Sequence, residues 1–449
     1  MKAFIIVGAG YGDEGKGLTT DWLVNERKKL GEICIVARCN GGTQAAHTVA
    51  TPQGQRHVFK HHGSGAFLGA ATYLGPHFIL NPIGFREERE QCPELTRQQV
   101  YSAPDARVSL PVDMLINQCL EELRGEHKHG SCGWGIGETL ERAQRMPWGT
   151  LVRSHLHCLD AARLREITAE YINVRLVADG IYQSLSPEQK ERLMCPDIMS
   201  RWLEDARYMV ENTTVLPPDM LYTVADTIIC EGAQGLGLDE DGEHFPHVTR
   251  SKTGSKNPLE LVSASNAQLK EIFYVTRCYA SRHGAGPLER EFDSHGCIVD
   301  DPTNVPNKWQ DSLRVAPLDM NVLSQRVLGD LSPVLQAHPS AEVSLMVTCC
   351  DQATQNFAYY DDLGNYCTGM SEIKHPHDPN FLSGRLISQI QSKCMFTGSP
   401  EPQSGRLLQS FGPTRADVRV ALCYTTPQSQ RMAALLSGDT AKLLQGLVT

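Results

Sequence analysis

Short apolar runs alternate with amphipathic stretches along the whole chain. Seven runs have the β-branched or aromatic residues, or the short apolar core, that are typical of strands. They cover residues 4–7, 33–38, 77–80, 227–230, 272–277, 343–349 and 419–423. Helical patterns lie between them at 111–123, 187–195 and 321–328, and Ser186 followed by Pro187 predicts the start of the second helix. This alternation predicts an α/β fold with a mostly parallel central sheet flanked by helices.

The same patterns indicate one large domain. No internal repeat and no linker divides the chain, so residues 1–449 are predicted to form a single unit. The polar stretch 364–379 predicts a surface insertion at about 360–380, and the stretch 400–405 predicts a loop. Most polar motifs follow predicted strands, and ligands of parallel sheets bind at the carboxyl ends of the strands. A shared site is therefore expected at that edge of the sheet.

Composition narrows the class of protein. The net charge of -10 argues against a nucleic-acid-binding surface, which usually needs a basic face, but leaves nucleotide substrates open. Fifteen cysteines without a C-x-x-C pair favour reduced thiols. The first residues do not resemble a signal peptide, and no run approaches about 18 apolar residues, so no membrane span is expected. Together these features predict a cytoplasmic protein.

A glycine-rich loop follows the first predicted strand. Residues 10–16 match the phosphate-binding pattern G-x-x-x-x-G-K. Gly17 stands where that pattern usually has the Ser or Thr that holds magnesium, which disfavours a GTPase switch. Phosphates would repel the carboxylate of Asp13 inside this loop unless it binds a metal ion or exchanges a proton with a substrate. The loop therefore indicates an enzyme that uses a nucleotide, with Lys16 neutralising phosphates and the neighbouring Glu14 in a structural role.

Further segments could line the same site. Residues 38–49 place two glycines and two alanines near His47, so a ligand could approach the backbone closely; a packed core histidine is the alternative. Residues 228–235 end a predicted strand with Gln234 in a Gly-Ala-Gln-Gly turn. Residues 244–257 form a basic, hydroxyl-rich loop suited to a phosphate monoester. A simple glycine turn and a solvated loop are the corresponding alternatives.

Taken together, these motifs resemble those of the adenylosuccinate synthetases. Residues 12–17 match the family's G-D-E-G-K-G, 41–48 its G-G-x-N-A-G-H-T, and 231–235 its E-G-A-Q-G, in the same order. Weaker matches follow at 130–137, 282–287 and 409–415. The second of these reads R-H-G-A-G-P, where the family has R-V-G-A-G-P. The resemblance spans nearly the whole chain.

The resemblance implies a ligase that joins L-aspartate to C6 of IMP, using GTP and Mg²⁺. Asp13 would remove the proton from N1 of the purine, so that the 6-oxygen can take the γ-phosphoryl group of GTP. His47 would donate a hydrogen bond or a proton during this transfer, and Lys16 would bind the phosphates. Asp13 and the backbone carbonyl of Ala46 would hold Mg²⁺. The aspartate amine would then expel phosphate from the 6-phosphoryl intermediate.

The same resemblance implies three sets of binding residues. The GTP-binding set is Gly12, Gly15, Lys16, Gly17, Thr48, Asp351, Ser410 and Gly412. The purine-nucleotide-binding set is Asp13, Gln44, Ser131, Cys132, Arg145, Gln234 and Thr249. The aspartate-binding set is Thr303, Lys308 and Arg314. Because an arginine of this family crosses into the partner subunit, a homodimer is also implied, with Arg145, or alternatively Arg142, as the crossing residue.

Departures from the family pattern leave the nucleotide open. Gln44 replaces an asparagine at the purine site. Asp351 is the residue that would select guanine, and Cys349 replaces a lysine near it. Asp311 falls where the family has an arginine that contacts the aspartate and the ribose 2′-hydroxyl. The related phage 2-aminoadenylosuccinate synthetases, which act on dGMP, also depart in this loop but typically lack the carboxylate of Asp13. Three hypotheses remain: ligation on IMP, the same chemistry on dGMP or GMP, and a nucleotide-binding paralogue with weak or no catalysis.

Overall fold

The computed structural model describes residues 1–125, 131–242, 244–291, 313–352, 358–361, 364–368, 382–397 and 401–425. Thr303, Lys308 and Asp311 lie outside these ranges, so the predictions that concern them remain predictions. Only parts of the predicted insertion at about 360–380 lie within the ranges.

A ten-stranded sheet forms the centre of the described chain. All strands of the described residues, inside and outside this sheet and numbered along the chain, are β1 (Lys2–Gly8), β2 (Cys34–Arg38), β3 (His47–Ala50), β4 (Arg56–Phe59), β5 (Ala71–Leu74), β6 (Val100–Ser102), β7 (Thr214–Val215), β8 (Thr227–Glu231), β9 (Gln268–Arg277), β10 (Ala280–Arg282), β11 (Arg314–Ala316), β12 (Leu318–Asp319), β13 (Glu342–Thr348), β14 (Ala358–Tyr360), β15 (Tyr366–Thr368), β16 (Ser404–Ser410) and β17 (Val418–Thr425). Strands β3 and β4, β10 and β11, and β12, β14 and β15 form three smaller sheets. The order across the sheet is β17-β16-β13-β9-β1-β8-β2-β5-β6-β7. Every neighbouring pair is parallel except β16 with β17, as the α/β pattern predicts.

Helices connect the parallel strands. They are α1 (Lys16–Lys29), α2 (Pro82–Gln91), α3 (Pro111–Arg124), α4 (Ile136–Arg145), α5 (Ala161–Ile172), α6 (Pro187–Leu193), α7 (Pro196–Glu211), α8 (Lys256–Ala264), α9 (Met320–Ala337) and α10 (Leu382–Thr397). Within the described ranges, none of the helices is long and apolar enough to cross a membrane.

Alternate residues of β1 enter two different cores. Phe4 and Ile6 belong to a buried cluster that also contains Leu18 and Trp22 of α1. Ile5 belongs to the larger cluster, to which α3, α5, α7, α9 and α10 also contribute. Burial of each such side chain stabilises the fold by about 1.5–3 kcal/mol. A central strand covered on both faces needs apolar residues at successive positions, which is why its run is continuous in the sequence.

One predicted strand is wrong. Residues 77–80 form a turn and an isolated bridge, and the nearby strand of the sheet is β5. The backbone N–H groups of Ile79 and Leu80 donate to the carbonyls of Gly41 and Arg107, each over 2.8 Å. A buried apolar segment whose N–H groups are satisfied outside the sheet resembles a strand in the sequence, although it does not pair as one.

Several element boundaries also differ from the predicted ones. The second predicted helix ends at Leu193 instead of residue 195, and α9 continues past Pro333 to Ala337. Strand β16 begins at Ser404, inside the predicted loop 400–405. The predicted N-cap is confirmed, because the Ser186 hydroxyl accepts the backbone N–H of the third helical residue over 3.2 Å.

The carboxyl ends of the parallel strands meet at one edge of the sheet. Strand β1 ends at Gly8, directly before the glycine-rich loop, and its neighbour β8 ends at Glu231. Strand β2 ends at Arg38, before the segment that contains His47. Because these strands pair in parallel, the predicted motifs that follow them lie on a common edge.

Candidate active site

The glycine-rich loop bends through the left-handed region of backbone space. Gly12, Asp13 and Gly15 have φ angles of 99°, 60° and 93°. Gly15 caps α1, so Lys16 is the first residue of that helix, and its side chain is buried. Backbone N–H groups at a helix N-terminus form an anion-binding position. The loop thus has the geometry expected for holding phosphates.

Glu14 folds back into this loop. One of its carboxylate oxygens accepts the N–H groups of Gly10, over 3.0 Å, and Gly12, over 2.8 Å. The other oxygen lies 2.5 Å from Nζ of Lys16, and both side chains are buried. These donors are the groups expected to hold phosphates. The Glu14 carboxylate therefore bonds the loop to itself, and a bound phosphate would share or replace these contacts.

Gly17 packs against the segment that contains His47. A Cβ atom at Gly17 would lie 3.0 Å from Cβ of His47 and 3.1 Å from the carbonyl oxygen of Thr48. Both distances are tighter than ordinary van der Waals contacts. This close approach explains why glycine, and not the larger Ser or Thr of the common phosphate-binding loop, follows Lys16. It also places Thr48, a predicted GTP-binding residue, beside the loop.

Asp13 presents its carboxylate at the rim of the loop. Its side chain is 37% exposed. Arg277, at the end of β9, donates to the carbonyl oxygen of Asp13 over 2.6 Å and so holds the loop backbone. The carboxylate oxygen Oδ2 lies 3.3 Å from Nε2 of His283. An accessible carboxylate of this kind can accept a proton or bind a metal ion, so the placement allows either predicted function of Asp13.

A buried carboxylate orients His47. Nδ1 of His47 lies 2.7 Å from Oε1 of Glu231, which is fully buried at the end of β8. The backbone N–H of Ser64 donates to the other Glu231 oxygen over 3.1 Å, and its hydroxyl donates to Oε1. Arg38 lies 3.8 Å from the same carboxylate. Because Nδ1 is engaged, Nε2 is the ring nitrogen that can serve a ligand. Ala46, whose carbonyl is a predicted metal ligand, directly precedes this histidine.

Burial and charge act in opposite directions on this pair. Burial lowers the pKa of His47, although the Glu231 carboxylate raises it. Burial would raise the pKa of Glu231, but His47, Arg38 and the hydrogen bonds from His47 and Ser64 outweigh burial and hold that pKa at about 2. At neutral pH, Glu231 is therefore an anion beside a neutral imidazole. The anionic acceptor favours the tautomer with its proton on Nδ1.

Two glutamines lie at the glycine-rich turn between β2 and the His47 segment. A Cβ at Gly41 would lie 3.6 Å from Oε1 of Gln234, and one at Gly42 would lie 3.2 Å from Oε1 of Gln44. Asn40 exchanges two hydrogen bonds, of 3.1 and 2.8 Å, with the backbone next to Gln234. Both glutamine oxygens are buried without a hydrogen-bond partner in the described part of the chain. Since buried amide oxygens are normally paired, they suit a ligand that donates N–H groups.

The other predicted purine-nucleotide residues lie near the start of α4. Ser131 and Cys132 are half-buried just before that helix, and burial raises the pKa of the Cys132 thiol to about 11. Thr249 is half-buried, and the next residue, Arg250, donates to the carbonyl of Gly137 over 3.2 Å. That contact brings the basic loop to the N-terminal turn of α4. A phosphate monoester between these segments would meet hydroxyl groups and the helix N-terminus.

The remaining predicted GTP-binding residues follow β13 and β16. The hydroxyl of Thr348, the last residue of β13, donates to the carbonyl of Glu14 over 2.7 Å, so the glycine-rich loop adjoins this strand. Asp351 follows in the next turn and is exposed. Ser410 ends β16, and its hydroxyl donates to the carbonyl of Gly412. These residues therefore follow strands of the same parallel edge.

Arg314 is the predicted aspartate-binding residue that the described ranges include. Its guanidinium group donates to Glu291 over 2.7 Å and to the carbonyls of Gly284 and Gly286 over 2.8 and 2.7 Å. Arg314 thus stabilises the turn that follows β10. A carboxylate ligand would have to share this guanidinium group with those partners.

The two arginines considered for the subunit crossing differ in placement. Arg142 is buried, and its Nε lies 2.8 Å from Oδ1 of Asp113 in the same chain. Arg145 is 34% exposed on α4, where it pairs with Glu141 and Asp179 over 2.6 and 2.8 Å. Breaking a buried ion pair costs about 3–5 kcal/mol. Arg142 is therefore unsuited to crossing into a partner, and Arg145 stays the predicted crossing residue.

Three residues of the site received no function from the sequence. Glu231 belongs to the matched E-G-A-Q-G motif, and a carboxylate at the end of an apolar central strand is a signal that could have identified it. His283 could have been noticed because the family signature has valine at this position. Ser64 carries no comparable signal, because only the folded chain brings it to Glu231.

The fold and the site define a class of protein: a mostly parallel α/β protein with a glycine-rich loop suited to nucleotide phosphates at the carboxyl edge of its sheet. Residues 5–326 match the profile of the family described as adenylosuccinate synthetase. The chain belongs to the adenylosuccinate synthetase family, which consists of GTP-dependent ligases.

Curated relatives carry the same description. The adenylosuccinate synthetase of Phocaeicola vulgatus is 27% identical over 310 residues, which cover 67% of this chain and 68% of the relative. That of Bacteroides thetaiotaomicron is 28% identical over 308 residues, which cover 66% and 67%. That of Thermoplasma acidophilum is 28% identical over 293 residues, which cover 65% and 64%.

Two solved structures share the fold. The fully ligated adenylosuccinate synthetase from Plasmodium falciparum aligns with a TM-score of 0.62 and 17% identity, covering 94% of this chain and all of that chain. The succinoaminodeoxyadenylate synthetase of cyanophage S-2L, bound to dGMP and to dATP as an energy donor, aligns with a TM-score of 0.56 and 15% identity, covering 97% and 99%. The predicted family and the predicted fold class are thereby confirmed.

Proposed function

We propose that this chain joins L-aspartate to C6 of IMP, with GTP as the phosphoryl donor, and so forms adenylosuccinate. The observation that carries the proposal is the convergence of three groups at one edge of the sheet. These are the accessible carboxylate of Asp13, the loop lysine Lys16, and His47 with its buried partner Glu231. A base, a phosphate-binding group and a proton donor are the groups that this reaction needs.

The first step activates the 6-oxygen of the purine. An amine cannot displace this oxygen directly, because oxide is a very poor leaving group. Asp13 accepts the proton from N1, and the electron pair of that bond makes the 6-oxygen nucleophilic. The 6-oxygen then forms a bond to the γ-phosphorus of GTP while the bond to the β,γ-bridging oxygen breaks, which releases GDP. The amine of aspartate next attacks C6 and expels phosphate.

His47 acts on the transferring phosphoryl group. The phosphates of a bound nucleotide bring negative charge toward Nε2, and the Glu231 anion stabilises a positive charge on the ring. The imidazole can therefore carry a second proton and donate it from Nε2 as charge develops in the transition state. Lys16 shares the phosphates with the backbone N–H groups of the glycine-rich loop.

The residues present fit a magnesium ion. Mg²⁺ is usually held by one or two carboxylates together with substrate phosphates. Asp13 supplies an accessible carboxylate at the rim of the loop, and the described residues form no larger cluster of metal-binding side chains. Asp13 and the carbonyl of Ala46 would hold the ion, which when bound neutralises charge on the GTP phosphates.

The substrates would be bound by the residues assigned from the family motifs. Gln44 and Gln234 offer unpaired amide oxygens to the purine nucleotide, and Thr249 offers a hydroxyl near its phosphate. Arg314, with Thr303 and Lys308, would bind the carboxylates of L-aspartate. Arg145 would reach the nucleotide phosphate in a partner subunit, so that the functional form is a homodimer.

Asp13→Asn provides the test. The purified protein is incubated with IMP, L-aspartate, GTP and Mg²⁺, and adenylosuccinate is measured by mass spectrometry. We expect aspartate-dependent formation of product by the wild type and loss by at least about 10²-fold in the variant. GTP binding measured without added Mg²⁺ should be retained, because Lys16 and the N–H groups of the loop remain. Product formation by Asp13→Asn at the wild-type rate would refute the proposed base. Nucleotide binding by the wild type without any product would favour the hypothesis that the chain is a nucleotide-binding paralogue with weak or no catalysis.

A second substrate is favoured by one observation. Asp311 stands where the resemblance implies an arginine that contacts the ribose 2′-hydroxyl, so we expect weaker selection for ribose over deoxyribose. The same chemistry on dGMP or GMP would give the 2-amino product. Measuring kcat/KM with IMP, dGMP and GMP separates the candidates, and activity with dGMP alone would replace IMP as the substrate.

A further inference from the structure

A histidine from a distant part of the chain meets the carboxylate of the glycine-rich loop. Nε2 of His283 lies 3.3 Å from Oδ2 of Asp13, and the two side chains are 19% and 37% exposed. The contact therefore lies at the accessible rim of the loop and not in the core. Valine, which the family signature has at position 283, could fill the same space but could not donate a hydrogen bond. The contact with Asp13 therefore depends on the histidine that this chain has in place of the family valine.

The turn that carries His283 is held in place by other residues. Arg282 donates to the carbonyls of Pro287 and His247, each over 2.7 Å. Arg314 donates to two glycine carbonyls of the same turn over 2.8 and 2.7 Å. The backbone of the turn is therefore held by two arginines besides any contact of the His283 side chain. A substitution at this position should alter the contact with Asp13 while leaving the turn folded.

Asp13 has a fixed backbone and a less constrained side chain. Its φ of 60° and the 2.6 Å hydrogen bond from Arg277 to its carbonyl hold the main chain. The carboxylate is more than a third exposed and can rotate about its side-chain bonds. A general base must lie within hydrogen-bond reach of the proton that it removes, and misplacement by about 1 Å can lower a rate about 100-fold. A donor on one carboxylate oxygen would restrict this rotation.

We propose that His283 is a positioning residue for Asp13. At 3.3 Å, Nε2 of His283 lies just beyond an ordinary hydrogen-bond distance from Oδ2 of Asp13, and a small rotation of either partly exposed side chain lets Nε2–H donate to Oδ2. Oδ1 is then the oxygen that meets the substrate. The inference rests on the proposed function, in which Asp13 is the base. It requires a donor at the position of Nε2 and does not require a change in the protonation of the ring. Second-sphere hydrogen bonds of this kind commonly orient reactive carboxylates.

Three substitutions at one position test the inference. His283→Val removes the donor and restores the family residue. His283→Gln keeps a donor at about the position of Nε2, whereas His283→Asn places its donor nearer to Nδ1. His77→Val is the matched control, because it removes another histidine that lies 2.7 Å from a carboxylate, that of Glu260 on the surface. For each variant we measure kcat, the KM values for GTP, nucleotide and aspartate, and Tm.

We expect His283→Val and His283→Asn to lower kcat roughly 10- to 100-fold with little change in KM for GTP or in Tm. His283→Gln should recover most of the wild-type kcat, and the control should match the wild type throughout. A wild-type kcat in His283→Val would overturn the inference, as would equal losses in the Gln and Asn variants. If instead the wild type forms no product with any purine nucleotide, the proposed function fails, and this outcome is distinct from both.

Discussion

Two buried glutamates in this molecule lie beside histidines, one of them beside a single ring and the other beside three. Glu231 ends a central strand and lies 2.7 Å from Nδ1 of His47. Glu88 lies inside α2, and rings of three histidines surround it at 3.4–3.8 Å, beyond a good hydrogen bond. The closest partners of Glu88 are backbone N–H groups of residues 60–62, at 2.7–3.3 Å. Both carboxylates have a lowered pKa, so an altered pKa alone does not identify the functional one.

Position in the fold separates the two carboxylates. Glu231 lies at the carboxyl edge of the sheet, next to the glycine-rich loop, where ligands of parallel sheets bind. The histidines around Glu88 are packed by aromatic rings: His61 meets the edges of Phe78 and Phe85, and His62 stacks on Phe85 with centroids 5.6 Å apart. In the proposed function, histidine and glutamate act as a reactive pair at the strand end, whereas the same residue types stabilise a loop within the packed region.

Glu231→Gln should give the largest effect. In the variant, the amide offers Nδ1 of His47 either an oxygen or an NH₂ group, so the tautomer of the imidazole is less strictly selected. The negative charge that stabilises the protonated imidazole is lost. We expect kcat to fall about 10²- to 10⁴-fold while GTP binding, measured by calorimetry, changes little. A Glu231→Gln enzyme with the wild-type kcat would remove the His47 pair from the mechanism.

Glu88→Gln should instead lower the stability of the fold and leave kcat nearly unchanged. The amide retains one acceptor oxygen but directs an NH₂ group toward the N–H donors of residues 60–62. We expect the free energy of unfolding, from urea titration at pH 7, to fall by roughly 3 kcal/mol. The kcat of the folded variant should stay within about threefold of the wild type. A large loss of kcat with unchanged stability would make the Glu88 cluster part of the active site.

The sequence predicts the parallel sheet because each central strand is buried on both faces and so forms a continuous apolar run. The error at 77–80 has a related cause, since Ile79 and Leu80 are as apolar as a strand but bond to Gly41 and Arg107. Strand β5 gives little signal because Tyr73 and Leu74 are the only large apolar or aromatic residues among its four. The apolar runs in the sequence thus predict which segments are buried, whereas the hydrogen-bond partners of those segments depend on the tertiary fold.

The candidate site likewise contains residues that the sequence predicts and contacts that it does not predict. Asp13, Lys16 and His47 are predictable because glycine-rich spacing marks places where the backbone approaches a ligand. The partner of His47 is not predictable from spacing, because Glu231 lies 184 residues away. The contact between His283 and Asp13 likewise exists only after β1 and β9 pair side by side.

Acid should destabilise the folded protein through His61, because burial lowers the pKa of this histidine to about 3 in the folded state. The unfolded chain binds this proton at about pH 6.5. Stability from His61 is therefore fully present above pH 6.5 and is lost as the pH falls toward 3, with a slope of at most about 1.4 kcal/mol per pH unit. His61→Gln can still accept the backbone N–H of Asn81 and should remove this slope, as measured by urea titration at several pH values.

The pH result would also sharpen the contrast with His47. Burial lowers the pKa of His47 too, but the 2.7 Å contact with Glu231 opposes that shift. We therefore expect His47→Gln to reduce the pH slope of stability less than His61→Gln does. An equal reduction by both variants would mean that Glu231 contributes little to the proton affinity of its histidine.

Ser64→Ala should give the smallest effect. The variant removes the hydroxyl donor to Glu231 but leaves the backbone N–H of residue 64, His47 and Arg38 around the same carboxylate. Loss of one hydrogen bond to a charged group should lower kcat by roughly 3- to 10-fold. Ser102→Ala is the matched control, because the Ser102 hydroxyl is buried without a hydrogen-bond partner in the described part of the chain. If the two variants behave alike, the orientation of Glu231 depends on its charged neighbours and not on Ser64.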